Sequence, residues 1–120
     1  WLVNTNKLVR FYNGADGLKT GYTEEAGYCL TATAKKNNMR IIAVVMGEPD
    51  RKVRNKEVSE MLDYSFAQYE IHSLLKNKNS LGKYEIEKAE YKYAEIFSQN
   101  EVTILKKKGE KLGNVDYNYI

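Results

Sequence analysis

The amino-acid sequence predicts an α+β chain: an antiparallel sheet meander packed by one helix, followed by a small all-β module. Three observations carry that prediction. Tyr28, Leu30 and Ala32 alternate with Cys29, Thr31 and Thr33, and a β-branched apolar run fills residues 39–46. Apolar residues then switch to a spacing of three or four, at Val58, Met61, Leu62, Phe66 and Tyr69. Beyond Ile71, short β-forming segments return, separated by turn residues.

Taken in order, residues 8–12 are apolar-rich and Asn13-Gly14 signals a turn. A short strand is expected over residues 18–23, with Gly17 and Gly21 weakening ordinary strand packing. Residues 24–27 read as a loop, and the polar stretch 35–38 as a hairpin connection between strands 28–34 and 39–46. Pro49 closes the sheet segment. Asp50 is the expected N-cap of the helix, because a short acidic side chain accepts from the free amides of a first turn. Glu57 and Glu60 are expected to face water. The pattern changes after Ile71: Asn77, Asn79, Ser80 and Gly82 punctuate a polar connection, residues 83–93 alternate as one strand, and residues 101–105 form another. The domain boundary is therefore placed between residues 1–70 and 71–120.

Composition excludes several function classes. The chain has 120 residues, 42% of them hydrophobic, enough for one modest core or two small ones. A net charge of +3 is mild, and Lys106, Lys107 and Lys108 form a basic run that reads as a solvated strand end, with no nucleic-acid partner implied. The ten tyrosines sit among charged neighbours, as on a half-exposed sheet. The single cysteine, Cys29, excludes an internal disulfide or a thiolate metal cluster, and its apolar surroundings predict a small buried side chain. His72, the sole histidine, has no second ligand or base nearby and reads as a surface residue. No stretch approaches a membrane span, and the start has neither initiator Met nor signal peptide, which predicts a processed chain or an excised piece.

The residues that carry chemistry are Lys19-Thr20-Gly21. A phosphate loop is excluded, because Leu18 separates Gly17 from Lys19 and the segment leads into a strand where such a loop opens a helix. On a strand, Lys-Thr-Gly has a distinct sense in penicillin-recognising serine acyl-transferases. The lysine places a positive charge beside the reacting serines, and the threonine hydroxyl donates to a substrate carboxylate. The glycine lets a substrate backbone lie along the strand edge.

The flanking sequence extends the motif. Asn4-Thr5-Asn6-Lys7-Leu8 precedes Asp16-Gly17-Leu18-Lys19-Thr20-Gly21-Tyr22-Thr23. Ala26-Gly27-Tyr28-Cys29-Leu30, the run 39–47 and Arg54 follow. In order and spacing residues 4–70 resemble the low-molecular-weight penicillin-binding proteins, the D-alanyl-D-alanine carboxypeptidases. Residues 71–120 resemble, less specifically, the start of the β-rich domain that follows the catalytic domain in that family. The resemblance implies the C-terminal part of a penicillin-binding, β-lactamase-like transpeptidase fold. It also implies roles. Lys19 completes the proton-handling network, and the Tyr22 backbone N–H is an oxyanion donor. Thr20, Gly21 and Thr23 line the substrate strand, and Arg54 lies near the substrate carboxylate.

The family's S-x-x-K and S-x-N motifs, which should precede Lys19, are not upstream of it here. Ser73-Leu74-Leu75-Lys76 and Ser98-Gln99-Asn100 satisfy both patterns literally, but in the wrong order and setting; Ser73 is expected to begin a polar connection. The expected function is therefore a fragment of a serine-type D-Ala-D-Ala carboxypeptidase acting through an acyl-serine intermediate, without metal or cofactor, inactive alone. The alternative is a non-catalytic peptide-binding module that keeps only the substrate strand; a serine β-lactamase is a third reading, disfavoured by the β-rich tail. Implied partners are peptidoglycan stem peptides, β-lactams and the upstream half of the same domain, with self-association where that half is absent. The implied location is the outer face of the cytoplasmic membrane.

Overall fold

The computed structural model describes residues 3–88 and 90–116; the expected domain ends, Trp1 and Ile120, lie outside them. The fold is α+β, as expected, and divides into two compact units, Trp1–Glu70 and Ile71–Ile120.

The first unit opens with a single turn of helix, α1 (Leu8–Phe11), where an apolar-rich segment was the only expectation. The chain then turns through Gly14, whose φ is +88°. A Cβ there would sit 2.7 Å from the Lys35 carbonyl oxygen, so the position demands glycine twice over. Strand β1 (Ala15–Thr23) starts three residues earlier than expected from residue 18, because a bulge between Ala15 and Gly17 lets the pairing continue. It pairs antiparallel with β2 (Gly27–Lys36), which pairs antiparallel with β3 (Met39–Glu48). The order β1-β2-β3 leaves β1 as an outer strand. The β2–β3 connection is shorter than the four residues expected. Only Asn37 and Asn38 turn, both with positive φ (49° and 63°), the geometry of a two-residue hairpin that matches strand twist.

One face of this sheet holds Leu30, Ala32, Ala34 and Ala43, all buried against Val58 and Leu62 of α2 (Arg51–Gln68), with Leu8 completing the core. Asp50 caps α2 as expected, accepting from the amides of Lys52 (2.6 Å) and Val53 (2.9 Å). The helix departs from expectation in its seam. Val58 and Leu62 are fully buried, whereas Met61 is 42% exposed. The packed ridge runs at four-residue steps through Arg54, Val58 and Leu62 to the partly buried Phe66, so a cation occupies a core-facing position. Glu57 and Glu60 face water, and Glu60 pairs with Lys56 at 3.6 Å. The opposite sheet face leaves Ile42, Val44 and Met46 exposed.

Strand β4 (Tyr69–Leu75) begins in the last two residues of the first unit and continues into the second. It pairs with β7 (Val102–Lys107), and β5 (Ser80–Glu85) pairs antiparallel with β6 (Tyr93–Phe97). Residues 83–93 are not one strand. The chain turns where Lys88 takes a positive φ of 59°, and the Ile86 N–H closes the turn on the Lys92 carbonyl. Ser73 does not begin a polar connection either; it lies inside β4, half-buried. His72 is exposed on the same strand.

Candidate functional site

Register decides which groups of β1 can act together. Thr20 stands opposite Leu30 and Tyr22 opposite Tyr28, so both project from the sheet face that carries α2. Lys19 stands opposite Thr31 and projects from the other face. The first turn of α2 closes over Thr20 and leaves a cleft of about 280 Å³ between helix, strand and the segment before α1. Thr5, Thr20, Gly21, Tyr22, Tyr28 and Arg54 line it, with Asn55. Lys7, Arg51 and Lys52 complete the lining, so it contains four cationic side chains and no acidic one.

Arg54 is the most deeply buried of these. It is 4% exposed, and its guanidinium donates through Nε (3.1 Å) and one terminal nitrogen (2.9 Å) to the single Oδ1 of Asn55. No carboxylate pairs with it among the described residues. Burial, then repulsion from Arg51, hold its pKa below the usual arginine value. A buried cation satisfied by a neutral amide is an unusual cost, and its remaining capacity faces a cleft lined by cations. Such a site attracts an anion, and a planar guanidinium suits a carboxylate.

The segment before α1 is braced from within. Asn6 is 1% exposed; its Nδ2 donates to the Gly17 carbonyl (2.7 Å) and its Oδ1 accepts from the Leu8 amide (3.1 Å). Asn4 Oδ1 accepts from the Asn6 amide at 2.9 Å. These local turns hold Thr5 against β1, its Oγ1 2.6 Å from Thr20 Oγ1. The Tyr22 and Tyr28 rings stack at 4.4 Å between centroids, tilted by 33°, and the Arg51 guanidinium lies 5.9 Å over Tyr28. Asp16 ties β1 across the sheet: it accepts from Thr33 Oγ1 (2.7 Å) on β2 and two bonds from Arg40 (2.8 and 2.7 Å) on β3. The Arg40 bonds, with Thr33 second, hold its carboxyl well below the usual range.

Of the sequence-predicted residues, Thr20, Gly21, Tyr22 and Arg54 meet in the cleft. Lys19 and Thr23 do not. Lys19 Nζ donates to the Thr20 carbonyl (2.6 Å) and lies over the other face with Cys29, Thr31, Val44 and Met46. Thr23 Oγ1 accepts from the Ala26 amide at 2.9 Å and builds the β1–β2 turn. Cys29 is half-buried, not buried as expected, and donates to the Ala26 carbonyl at 3.4 Å. Both serines of the literal motifs hold backbone: Ser73 Oγ donates to the Leu75 carbonyl (3.4 Å), and the buried Ser98 Oγ donates to the Lys76 carbonyl (2.6 Å). Among the described residues no group of three or more His, Cys, Asp or Glu can hold a metal ion. Sequence reasoning assigned no role to Thr5, Asn6, Tyr28 or Asp16. The alternating Asn4-Thr5-Asn6 carried a readable signal, since asparagines of that kind form Asx turns.

Comparison with known proteins shows what the chain as a whole is similar to. Residues 1–50 match the peptidase S11 family, D-alanyl-D-alanine carboxypeptidase. The chain is 52% identical over 115 residues to the D-alanyl-D-alanine carboxypeptidase DacF of Bacillus subtilis, covering 96% of this chain and 30% of that protein. Penicillin-binding protein 5 from Haemophilus influenzae superposes with a TM-score of 0.65 at 33% identity, over 86% of this chain and 30% of that one. A peptidoglycan synthesis regulatory factor from Streptococcus pneumoniae shares the fold, with a TM-score of 0.77 at 20% identity over 92% of this chain and 33% of that one. The chain thus resembles D-alanyl-D-alanine carboxypeptidases over nearly all of its length, and spans about a third of theirs.

Proposed function

We propose that this chain, with its resemblance to D-alanyl-D-alanine carboxypeptidases, forms the carboxylate-binding wall of such an enzyme. Residues 1–70 are then the C-terminal part of its catalytic domain, and residues 71–120 the start of a β-rich domain. The observation that carries the reading is Arg54: a guanidinium 4% exposed, without a carboxylate partner among the described residues, in a cleft shared with Thr20, Gly21 and Tyr22. A peptidoglycan stem peptide ending in D-Ala-D-Ala brings the missing anion.

In the reaction, Arg54 and the Thr20 hydroxyl hold the terminal carboxylate while the peptide lies along the outer edge of β1, at Gly21 and Thr23. A serine hydroxyl attacks the carbonyl between the two D-alanines, and the developing oxyanion is met by the Tyr22 backbone N–H. The C–N bond breaks, the terminal D-alanine leaves with the proton given up by the serine, and water then hydrolyses the acyl-serine. A β-lactam enters by the same carboxylate and acylates the same serine. Ser73 and Ser98 do not serve, nor does Ser80 of the further literal S-x-x-K at Ser80-Leu81-Gly82-Lys83, which also follows Lys19 and donates its hydroxyl to Glu95 at 2.7 Å. On this reading the serine and its lysine come from outside these 120 residues, and the chain alone does not acylate. The exposed face of Ile42, Val44 and Met46 packs against the upstream half of the domain, and self-associates without it. The location is the outer face of the cytoplasmic membrane.

Titration of the isotope-labelled chain with N-acetyl-D-Ala-D-Ala, and with its C-terminal carboxamide, tests the site by amide NMR. The acid should shift Thr20, Gly21 and Tyr22 saturably, the amide far less, and Arg54→Gln should weaken acid binding and narrow the difference. Equal responses to acid and amide in the unmodified chain would refute it.

A further inference from the structure

We infer that Thr5 sets the carboxylate selectivity of the cleft, by donating to Thr20 Oγ1 and so turning the Thr20 proton toward the ligand. The inference rests on the carboxylate site proposed above. The two hydroxyl oxygens are 2.6 Å apart, with either able to donate, and both line the cleft. At that separation one proton lies between them. A hydroxyl has one donor and two acceptor positions, so the direction of that proton decides what Thr20 shows the cleft. If Thr20 donates to Thr5, Thr20 offers a lone pair, which repels an anion. If Thr5 donates to Thr20, the Thr20 hydrogen is free for a carboxylate, and the two bonds in series polarise one another.

The anion chooses the second arrangement. A carboxylate accepts only, whereas a carboxamide can present a donor or an acceptor and tolerates either orientation. The pair therefore discriminates between acid and amide, beyond the charge supplied by Arg54. Thr5 acts through Thr20 and is a positioning residue.

An exposed threonine on a loose loop would not hold such a role. Thr5 is exposed, but it is the middle residue of the Asx turn from Asn4 to Asn6, a second Asx turn follows at Asn6–Leu8, and the buried Asn6 side chain ties the segment to the Gly17 carbonyl of β1. Strand and loop thus move as one piece, and the oxygen–oxygen distance survives solvent access. None of this requires a particular residue at position 5 for folding, because the bracing runs through Asn4 and Asn6.

Thr5→Val removes the hydroxyl and keeps the shape; Thr5→Ser keeps the hydroxyl. Each is titrated with N-acetyl-D-Ala-D-Ala and with its carboxamide, following the amides of Gly21 and Tyr22. Losing a hydrogen bond that reaches a charged group is expected to weaken acid binding about tenfold in Thr5→Val, with amide binding unchanged within roughly twofold. Thr5→Ser should restore the preference. Retained selectivity in Thr5→Val overturns the inference and leaves the carboxylate site standing, as does a Thr5→Ser variant that behaves like Thr5→Val. Displaced Asn6 and Gly17 signals in Thr5→Val also overturn it, since the loop has then moved. Absence of any acid preference in the unmodified chain overturns the site and the inference together.

Discussion

Replacing Arg54 by methionine should make the first unit more stable while removing anion binding. The side chain is 4% exposed and occupies the ridge that continues through Val58 and Leu62. Its guanidinium donates twice, at 3.1 and 2.9 Å, but to one neutral oxygen, and no carboxylate neutralises it among the described residues. Because both donors share one acceptor oxygen they count as a single bifurcated bond, and its loss costs about 1.5–3 kcal/mol by the usual worth of a bond to a charged group. Against this stands the several kcal/mol spent keeping a guanidinium out of water, which apolar replacements of buried ions commonly recover. Methionine fills the same channel with a flexible unbranched chain, and half-buried Asn55 can turn to solvent in the cleft. The net expectation is a gain of about 1 kcal/mol, or about 4–8 °C in Tm for a unit of this size. Urea denaturation followed by far-ultraviolet circular dichroism measures the midpoint, and the N-acetyl-D-Ala-D-Ala titration measures the loss of binding. A destabilisation of about 1 kcal/mol or more would refute the account of Arg54 as a group held at structural cost for its ligand.

Asp16→Asn should lower the urea midpoint at pH 7, and the deficit should shrink as pH falls below about 4. The native carboxyl is held below its unfolded value by Arg40 and then Thr33, so its contribution is full above the unfolded pKa and is lost as pH falls through the lower folded one. A deficit independent of pH would show that the ion pair contributes nothing through charge. Leu62→Ala, at a fully buried position against the sheet, should cost about 2–5 kcal/mol by the same denaturation assay. Ser98→Ala should destabilise the second unit by about 1–3 kcal/mol, because the hydroxyl satisfies the Lys76 carbonyl and the Asn79 amide at once. Neither Ser98 nor Ser73 should take up a fluorescent penicillin on a denaturing gel; a stoichiometric adduct at Ser73 would overturn its dismissal as a nucleophile.

Local periodicity alone makes the meander and α2 readable in the chain of residues. Alternation through residues 28–34, the β-branched apolar run over 39–46 and an N-cap at Asp50 are short-range signals, each satisfied by neighbours in the chain. The same logic fails where a side chain's fate is non-local. Met61 fits an apolar stripe by spacing yet is 42% exposed, while Arg54 takes a core-facing place, because the sheet meets only a narrow ridge of the helix. The alternation over residues 83–93 reads as one strand, but the backbone turns at Lys88 and folds it into two.

By itself, then, the amino-acid sequence determined the fold class, the helix with its cap, the Lys-Thr-Gly strand and the family it resembles. Those features depend on residue type and on spacings within a few positions. Only the tertiary structure decided that Lys19 and Thr20 serve opposite faces, that Arg54 is buried without a carboxylate, and that Thr5 meets Thr20 at 2.6 Å. Each of these depends on register and packing between segments distant in the chain. A one-residue slip of β1 against β2 would exchange its two faces and dissolve the cleft without altering a single motif.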